Sequence, residues 1–155
     1  MAFVTLEVPP EYGLVLLAAT GSLFVSTWLG MRIGGFRKAA GVPYPHQYAS
    51  QEQIAQTADA SKKQALHLFN CAQRGHYNFL ENHTPFLFAL LVAGVRKPVA
   101  AAVMGGLWSV ARIMYAVGYT NPDKQNGKGR LIGSWSTLIQ IILYGMAGWD
   151  AYKML

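Results

Sequence analysis

Residues 69–86, FNCAQRGHYNFLENHTPF, decide how the chain is read, because apolar, membrane-like sequence around them gives way here to a dense polar row. On a helix turning about 100° per residue, Asn70, Gln73, Arg74, Tyr77, Asn78 and Glu81 fall on one side, while Ala72, Phe79 and Phe86 fall opposite. Asn70, Arg74, Asn78 and Glu81 follow one another at helical spacing. A charged side chain near a bilayer centre costs about 2.5 to 3.5 kcal/mol on insertion scales, so Arg74 and Glu81 should face protein or a polar cavity. Either a polar ligand or a structural ion pair meets that requirement.

The totals agree with a membrane setting. The chain has 155 residues, of which 52% are hydrophobic and only 13% charged, a balance unlike that of a soluble domain. One domain covering residues 1–155 is expected. The formal charge of +6 does not point to nucleic acid, since the basic residues flank apolar stretches and form no aromatic-interleaved patch. A single cysteine, Cys71, excludes an intrachain disulfide and a multi-cysteine zinc site, and reads as a small buried residue of a helix. Residues 1–11 hold Glu7 and Glu11 but no Lys or Arg, so no cleavable signal peptide is expected.

Four spans of roughly the 20 residues needed to cross a bilayer are expected, at about 12–33, 66–95, 98–119 and 131–152. The first follows Pro9 and Pro10 and carries small residues that admit a close neighbour. Residues 34–65 form a long polar connection: GVPYPHQY (41–48) should be extended before its prolines, and 51–65 can form a surface helix. Pro85 should kink the second span, and Pro98 should start the third. The third span has its own polar row, Arg112, Tyr115 and Tyr119. A turn-rich loop, NPDKQNGKGR (121–130), precedes the fourth. Arg37, Lys38, Lys62, Lys63, Lys124, Lys128 and Arg130 belong to the first and third connections, against Arg96, Lys97 and Lys153 on the other side. By the positive-inside tendency the first and third loops face the cytosol and both termini face away, which brings Arg37, Arg74, Tyr119 and Arg130 to one level of the membrane.

Several arginines, a glutamate, an asparagine and tyrosines suit a zwitterion with more than one carboxylate. Arginine can pair bidentately with carboxylate while Glu81 takes an ammonium group. Glutathione has these features and a thiol of pKa about 8.5. An arginine stabilising its thiolate by about 2.7 kcal/mol would lower that pKa by about two units.

The choice of glutathione over other anions comes from resemblance. FNCAQRGHYNFLE (69–81), EYGLVLL (11–17), VPYP (42–45), PFLFALLVAGV (85–95) and ARIMYAVGY (111–119) resemble, in order, the motifs of the MAPEG family, the membrane-associated proteins of eicosanoid and glutathione metabolism. The resemblance implies an all-α, four-helix membrane subunit in a homotrimer of the endoplasmic reticulum membrane, with glutathione as co-substrate bound between subunits near the cytosolic face. It implies that Arg74, Asn78, Glu81, Tyr115 and Tyr119 bind glutathione, that Arg37 adds to the site across the interface, and that Arg130 is the catalytic arginine activating the thiol, with Lys128 as the alternative. His76 and Asn82 depart from residues of some relatives. The implied activity is glutathione transfer to hydrophobic electrophiles, with glutathione-dependent reduction of lipid hydroperoxides and possible leukotriene-C synthesis. A second reading is a non-enzymatic family member that presents fatty acid to a partner enzyme. A third, a small transporter, would want paired discontinuous helices, which the sequence does not mark.

Position alone leaves plainer roles open. Tyr115 and Tyr119 can be interfacial belt residues, and Arg37 and Arg130 lipid-facing anchors. His76 and His83, seven residues apart, lack a third metal ligand, and His46 and His67 have no chemical company. No Ser/His/Asp motif or phosphate-cradling glycine loop is present.

Overall fold

The computed structural model describes residues 7–154, so the first six residues of the stretch read as lacking a signal peptide lie outside the described part. The described residues form helices and turns only: α1 (Tyr12–Ala40), α2 (Gln51–Gln56), α3 (Ala60–Arg96), α4 (Pro98–Tyr119), a 3-10 segment (Gln125–Gly133) and α5 (Ser136–Tyr152). Helices α1 and α4 are each long and apolar enough to cross a membrane, and the 3-10 segment with α5 makes a third such path, bent by 41°. The 37-residue α3 is longer still, but the polar row lowers its apolarity.

Four boundaries differ from the sequence reading, one of them at the fourth span, expected from about residue 131, where residues 131–133 belong to the 3-10 segment and α5 begins at Ser136. Helix α1 continues beyond residue 33 to Ala40, despite Gly34 and Gly35. Arg37 and Lys38 complement the negative end of the helix dipole, and Gly41, at φ 59°, closes a Schellman cap in which Gly41 N–H donates to Lys38 O and Val42 N–H to Arg37 O. The surface helix ends at Gln56 instead of residue 65, because Asp59 caps a new helix: its Oδ1 accepts from Ser61 N–H at 2.9 Å. Residues 60–65 are thus the first turns of α3. Pro85 leaves the Glu81 carbonyl without its helical donor, yet α3 runs through it to Arg96 as one helix.

The centre of the bundle is aromatic. Phe86 and Trp108 stack with centroids 3.8 Å apart, Phe79 lies 5.4 Å from Trp108, and Val15, Leu29, Leu90 and Leu143 close around them. In lipid, where apolar contact alone gives little preference for one helix over another, polar links add specificity. Ser22 Oγ and His83 Nε2 lie 2.8 Å apart, which gives the buried His83 a structural partner between α1 and α3. Trp108 Nε1–H donates to Gln140 Oε1 at 3.0 Å, and Gln140 reaches Asn82 Oδ1 at 3.4 Å. Asn82 is thereby part of the helix packing. At the far end Lys97 Nζ pairs with the buried Asp150 at 2.6 Å, tying the α3–α4 turn to α5.

A second, smaller apolar cluster, Ala40, Val42, Ala49, Leu66 and Phe69, sits at the other end of α1 and α3. It holds the 42–50 connection down. Asn70 grips Ala49 from both sides, accepting from its N–H at 2.8 Å and donating to its carbonyl at 2.9 Å, while Gln73 donates to Gln47 O at 2.5 Å.

Candidate functional site

Two of the side chains in the polar row of α3, Asn70 and Gln73, are spent on the connection just described. Among the described residues, the rest of that row, Arg74, Tyr77, Asn78 and Glu81, makes no hydrogen bond to the connection. Arg74 Nη1 donates to Glu81 Oε1 at 2.8 Å, with both side chains about half exposed. The pair is therefore real, but it is not sealed in the bundle as a purely structural pair would be. Asn78 Oδ1 accepts from Arg112 Nη2 at 2.7 Å, which joins the α3 row to the α4 row.

Arg112 is almost fully buried, with its guanidinium 4.8 Å from the Tyr115 ring and 5.6 Å from the Trp108 ring. Its Nε is buried without a partner among the described residues. The family resemblance assigns Arg112 no ligand role, although it stands first in the row Arg112, Tyr115, Tyr119. Its weight comes from burial, which spacing does not reveal. Tyr115 and Tyr119 meet edge to face with centroids 5.6 Å apart.

Arg130 reaches the same place through glycine. The 3-10 segment lies so close to the end of α4 that a Cβ on Gly129 would collide with the Gly118 carbonyl, and one on Gly127 with the Tyr119 ring. Asn126 and Gly127 both take the left-handed conformation, at φ 54° and 63°, which turns their carbonyls to Arg130. Arg130 Nη1 donates to Gly127 O at 3.0 Å and to Asn126 O at 3.4 Å, and its guanidinium lies 5.2 Å from the Tyr119 ring centroid. Lys128 is exposed.

Arg74 and Tyr119 line a common cleft of about 570 Å³ with Tyr48, Ser50, Asn70 and Cys71. Cys71 is buried, as expected for a lone helical cysteine, with its sulfur 3.5 Å from His67 Nε2. Tyr48 belongs to the pinned connection, and burial raises its phenol above the ordinary 10.0, opposed by the nearby Arg74. It is a neutral hydrogen-bonding group at physiological pH.

Arg37 does not join this cleft within the chain. It lines a separate hollow of about 500 Å³ beside Gly30, Tyr44, Gln73, His76 and Tyr77. Its Nη1 donates to His46 O at 2.7 Å, and its guanidinium lies 4.2 Å from the Tyr44 ring and 4.8 Å from the Phe69 ring. The structure thus gathers Arg74, Asn78, Glu81, Tyr115, Tyr119 and Arg130 along the α3–α4 seam and sets Arg37 apart.

A model of the MAPEG family matches residues 15–149, from the first turn of α1 to near the end of α5. The chain belongs to the MAPEG family. Membership fits the all-helical bundle and its membrane-length helices. Among curated proteins, the uncharacterized protein sll1147 of Synechocystis sp. (strain ATCC 27184 / PCC 6803 / Kazusa) is 37% identical over 75 residues, 48% of this chain. The alignment covers 55% of that relative, so the MAPEG chain described here spans about half its length.

Proposed function

We propose that the protein is a membrane glutathione transferase, nearest in its motifs to the type 3 microsomal enzymes, that conjugates the glutathione thiolate to hydrophobic electrophiles and reduces lipid hydroperoxides. The observation that carries this reading is that Arg74 and Tyr119 line one cleft beside the Arg74–Glu81 pair, with the Arg130 guanidinium 5.2 Å from the Tyr119 ring. Glutathione carries two carboxylates and one ammonium group. Arg74, which gives Glu81 one of its five donors, would turn the others to a glutathione carboxylate, while Glu81 takes the ammonium group. Asn78 and Tyr115 would hold the peptide portion.

The half-exposed charges also support association with other copies. Arg74 and Glu81 cannot face hydrocarbon cheaply, so a neighbouring subunit is the natural cover. The hollow around Arg37, His76 and Tyr77 offers such a neighbour a polar face, which fits a homotrimer of four-span subunits with Arg37 contributing across the interface. Loops 1 and 3 would face the cytosol and the termini the lumen of the endoplasmic reticulum.

Arg130 would stabilise the thiolate. Its two backbone acceptors fix the guanidinium while leaving three of its five donors free. In transfer, the thiolate sulfur forms a bond to an electrophilic carbon; a displaced group such as chloride departs with the electron pair of its broken bond, whereas an opened epoxide oxygen keeps that pair, stays on the adjacent carbon and takes a proton. In peroxide reduction the thiolate sulfur attacks the terminal peroxide oxygen, the O–O bond breaks, and the departing alkoxide takes the proton released when the thiol ionised, leaving as an alcohol. A second glutathione then converts the resulting sulfenic acid to disulfide and water.

The test is conjugation of glutathione to 1-chloro-2,4-dinitrobenzene and reduction of a fatty-acid hydroperoxide by purified protein. Both are expected in the wild type. Arg74→Ala should raise the KM for glutathione, whereas Arg130→Ala should lower kcat with little change in binding. Folded protein that binds fatty acid but no glutathione would favour the lipid-presenting reading.

A further inference from the structure

A second arginine faces a different surface. Arg32 lies on α1 among residues that suit lipid, between Trp28 and Phe36, whose rings are 5.6 and 4.9 Å from its guanidinium carbon. Its Nη1 donates to Ala116 O at 3.1 Å and its Nη2 to Thr120 Oγ1 at 2.5 Å. These contacts fix the guanidinium against α4 but use two of its five donors and neutralise none of its charge. No carboxylate pairs with it among the described residues. Neither α1 nor α4 contains an Asp or Glu, and Asp123 in the next turn is exposed.

Arg32 stands at the head of an apolar groove. A hollow of about 640 Å³ runs below it along Ile113, Met114, Val117 and Ile132. Ile113 also borders an adjoining hollow of about 320 Å³ with Phe24, Val25 and Trp28. Phe24 is eight residues from Arg32, roughly 12 Å along the helix, so the track leads from a cation near the end of α4 toward the middle of the α1 span. A cation with free donors at one end and an apolar path at the other match the two ends of an anionic lipid.

We propose that Arg32 and this groove bind an anionic phospholipid, its phosphate on the free guanidinium donors and one acyl chain laid along Ile113 and Val117 to Phe24. An unpaired cation held at a membrane boundary is satisfied by a headgroup more readily than by water, because the groove beside it is apolar. This site is separate from the α3–α4 cleft, and its occupancy does not depend on glutathione.

The test is native mass spectrometry of the detergent-purified protein offered equimolar phosphatidylglycerol and phosphatidylcholine of identical chains. Loss of a charge-assisted contact is worth about tenfold. The wild type should therefore retain phosphatidylglycerol about tenfold better, and Arg32→Gln should abolish that preference. Val117→Trp, which fills the exposed groove with Arg32 intact, should cut retention of phosphatidylglycerol, and Lys38→Gln should leave it unchanged. Neither inorganic phosphate nor free fatty acid of the same chain length should displace the bound lipid. A preference that survives Arg32→Gln or Val117→Trp, or displacement by equimolar fatty acid, would overturn the proposal.

Discussion

The Asn78–Arg112 contact should behave as a coupled unit, and the coupling can be worked from its geometry. Arg112 is buried, has an unpartnered Nε, and holds Asn78 Oδ1 at 2.7 Å. Asn78→Ala removes that acceptor and leaves a buried guanidinium supported chiefly by the faces of Tyr115 and Trp108. A hydrogen bond to a charged group contributes about 1.5 to 3 kcal/mol, so the substitution should destabilise by about that amount. Arg112→Met removes the charge and leaves only a neutral amide oxygen unpaired, which costs about 1 to 3 kcal/mol. In the double variant nothing charged remains to be left unpaired. Adding Asn78→Ala to Arg112→Met should then cost less than about 0.5 kcal/mol, giving a coupling of about 1 to 3 kcal/mol. Thermal unfolding in detergent, read by tryptophan fluorescence, supplies the cycle. Using about 2 to 4 °C per kcal/mol, Asn78→Ala should lose roughly 3 to 12 °C. Additive shifts would refute the claim that Arg112 is held by Asn78.

Other consequences follow from the same contacts. Asn70→Ala breaks both bonds to Ala49 and should destabilise by about 2 kcal/mol, with faster proteolysis within residues 42–50 as the measurable sign. Gly127→Ala places a methyl group into the Tyr119 ring at positive φ, so conjugation activity should fall by more than it does in Gly145→Ala, where the added carbon meets nothing. Lys97→Met leaves the buried Asp150 unpaired and should cost about 3 to 5 kcal/mol, most of which Asp150→Asn should recover when added. Ultraviolet difference titration of wild type against Tyr48→Phe should place the Tyr48 ionisation above the ordinary 10.0; ionisation below it would contradict the partial desolvation of its phenol.

Much of this arrangement is legible in the chain because membrane helices expose their exceptions. The row through residues 70–81 stands out since each polar group there conflicts with its setting, and Phe79 and Phe86, placed on the opposite side by periodicity, are fully buried. Periodicity does not say which polar groups are free. Asn70 and Gln73 lie on the same side as Arg74, yet they serve the 47–49 backbone, a long-range contact that no local spacing encodes. The end of α1 is hidden for a different reason. The sequence reading starts the polar connection at residue 34, but the Schellman cap at Gly41 and the apolar cluster beneath Val42 carry the helix on. Arg130 follows a proline- and glycine-rich turn, and its approach to Tyr119 depends on the Gly118–Gly129 crossing, which sequence shows only as small residues.

The central claim is that this seam binds glutathione and that Arg130 makes its thiol a thiolate. The direct measurement is thiolate absorbance during titration of purified protein with glutathione at neutral pH, in wild type, Arg130→Ala and Arg74→Ala. The account predicts a thiolate signal in the wild type, its loss in Arg130→Ala while calorimetry still reports binding, and weaker binding in Arg74→Ala. Undiminished thiolate in Arg130→Ala would contradict the role given to Arg130, and no glutathione binding by folded wild type would contradict the account as a whole.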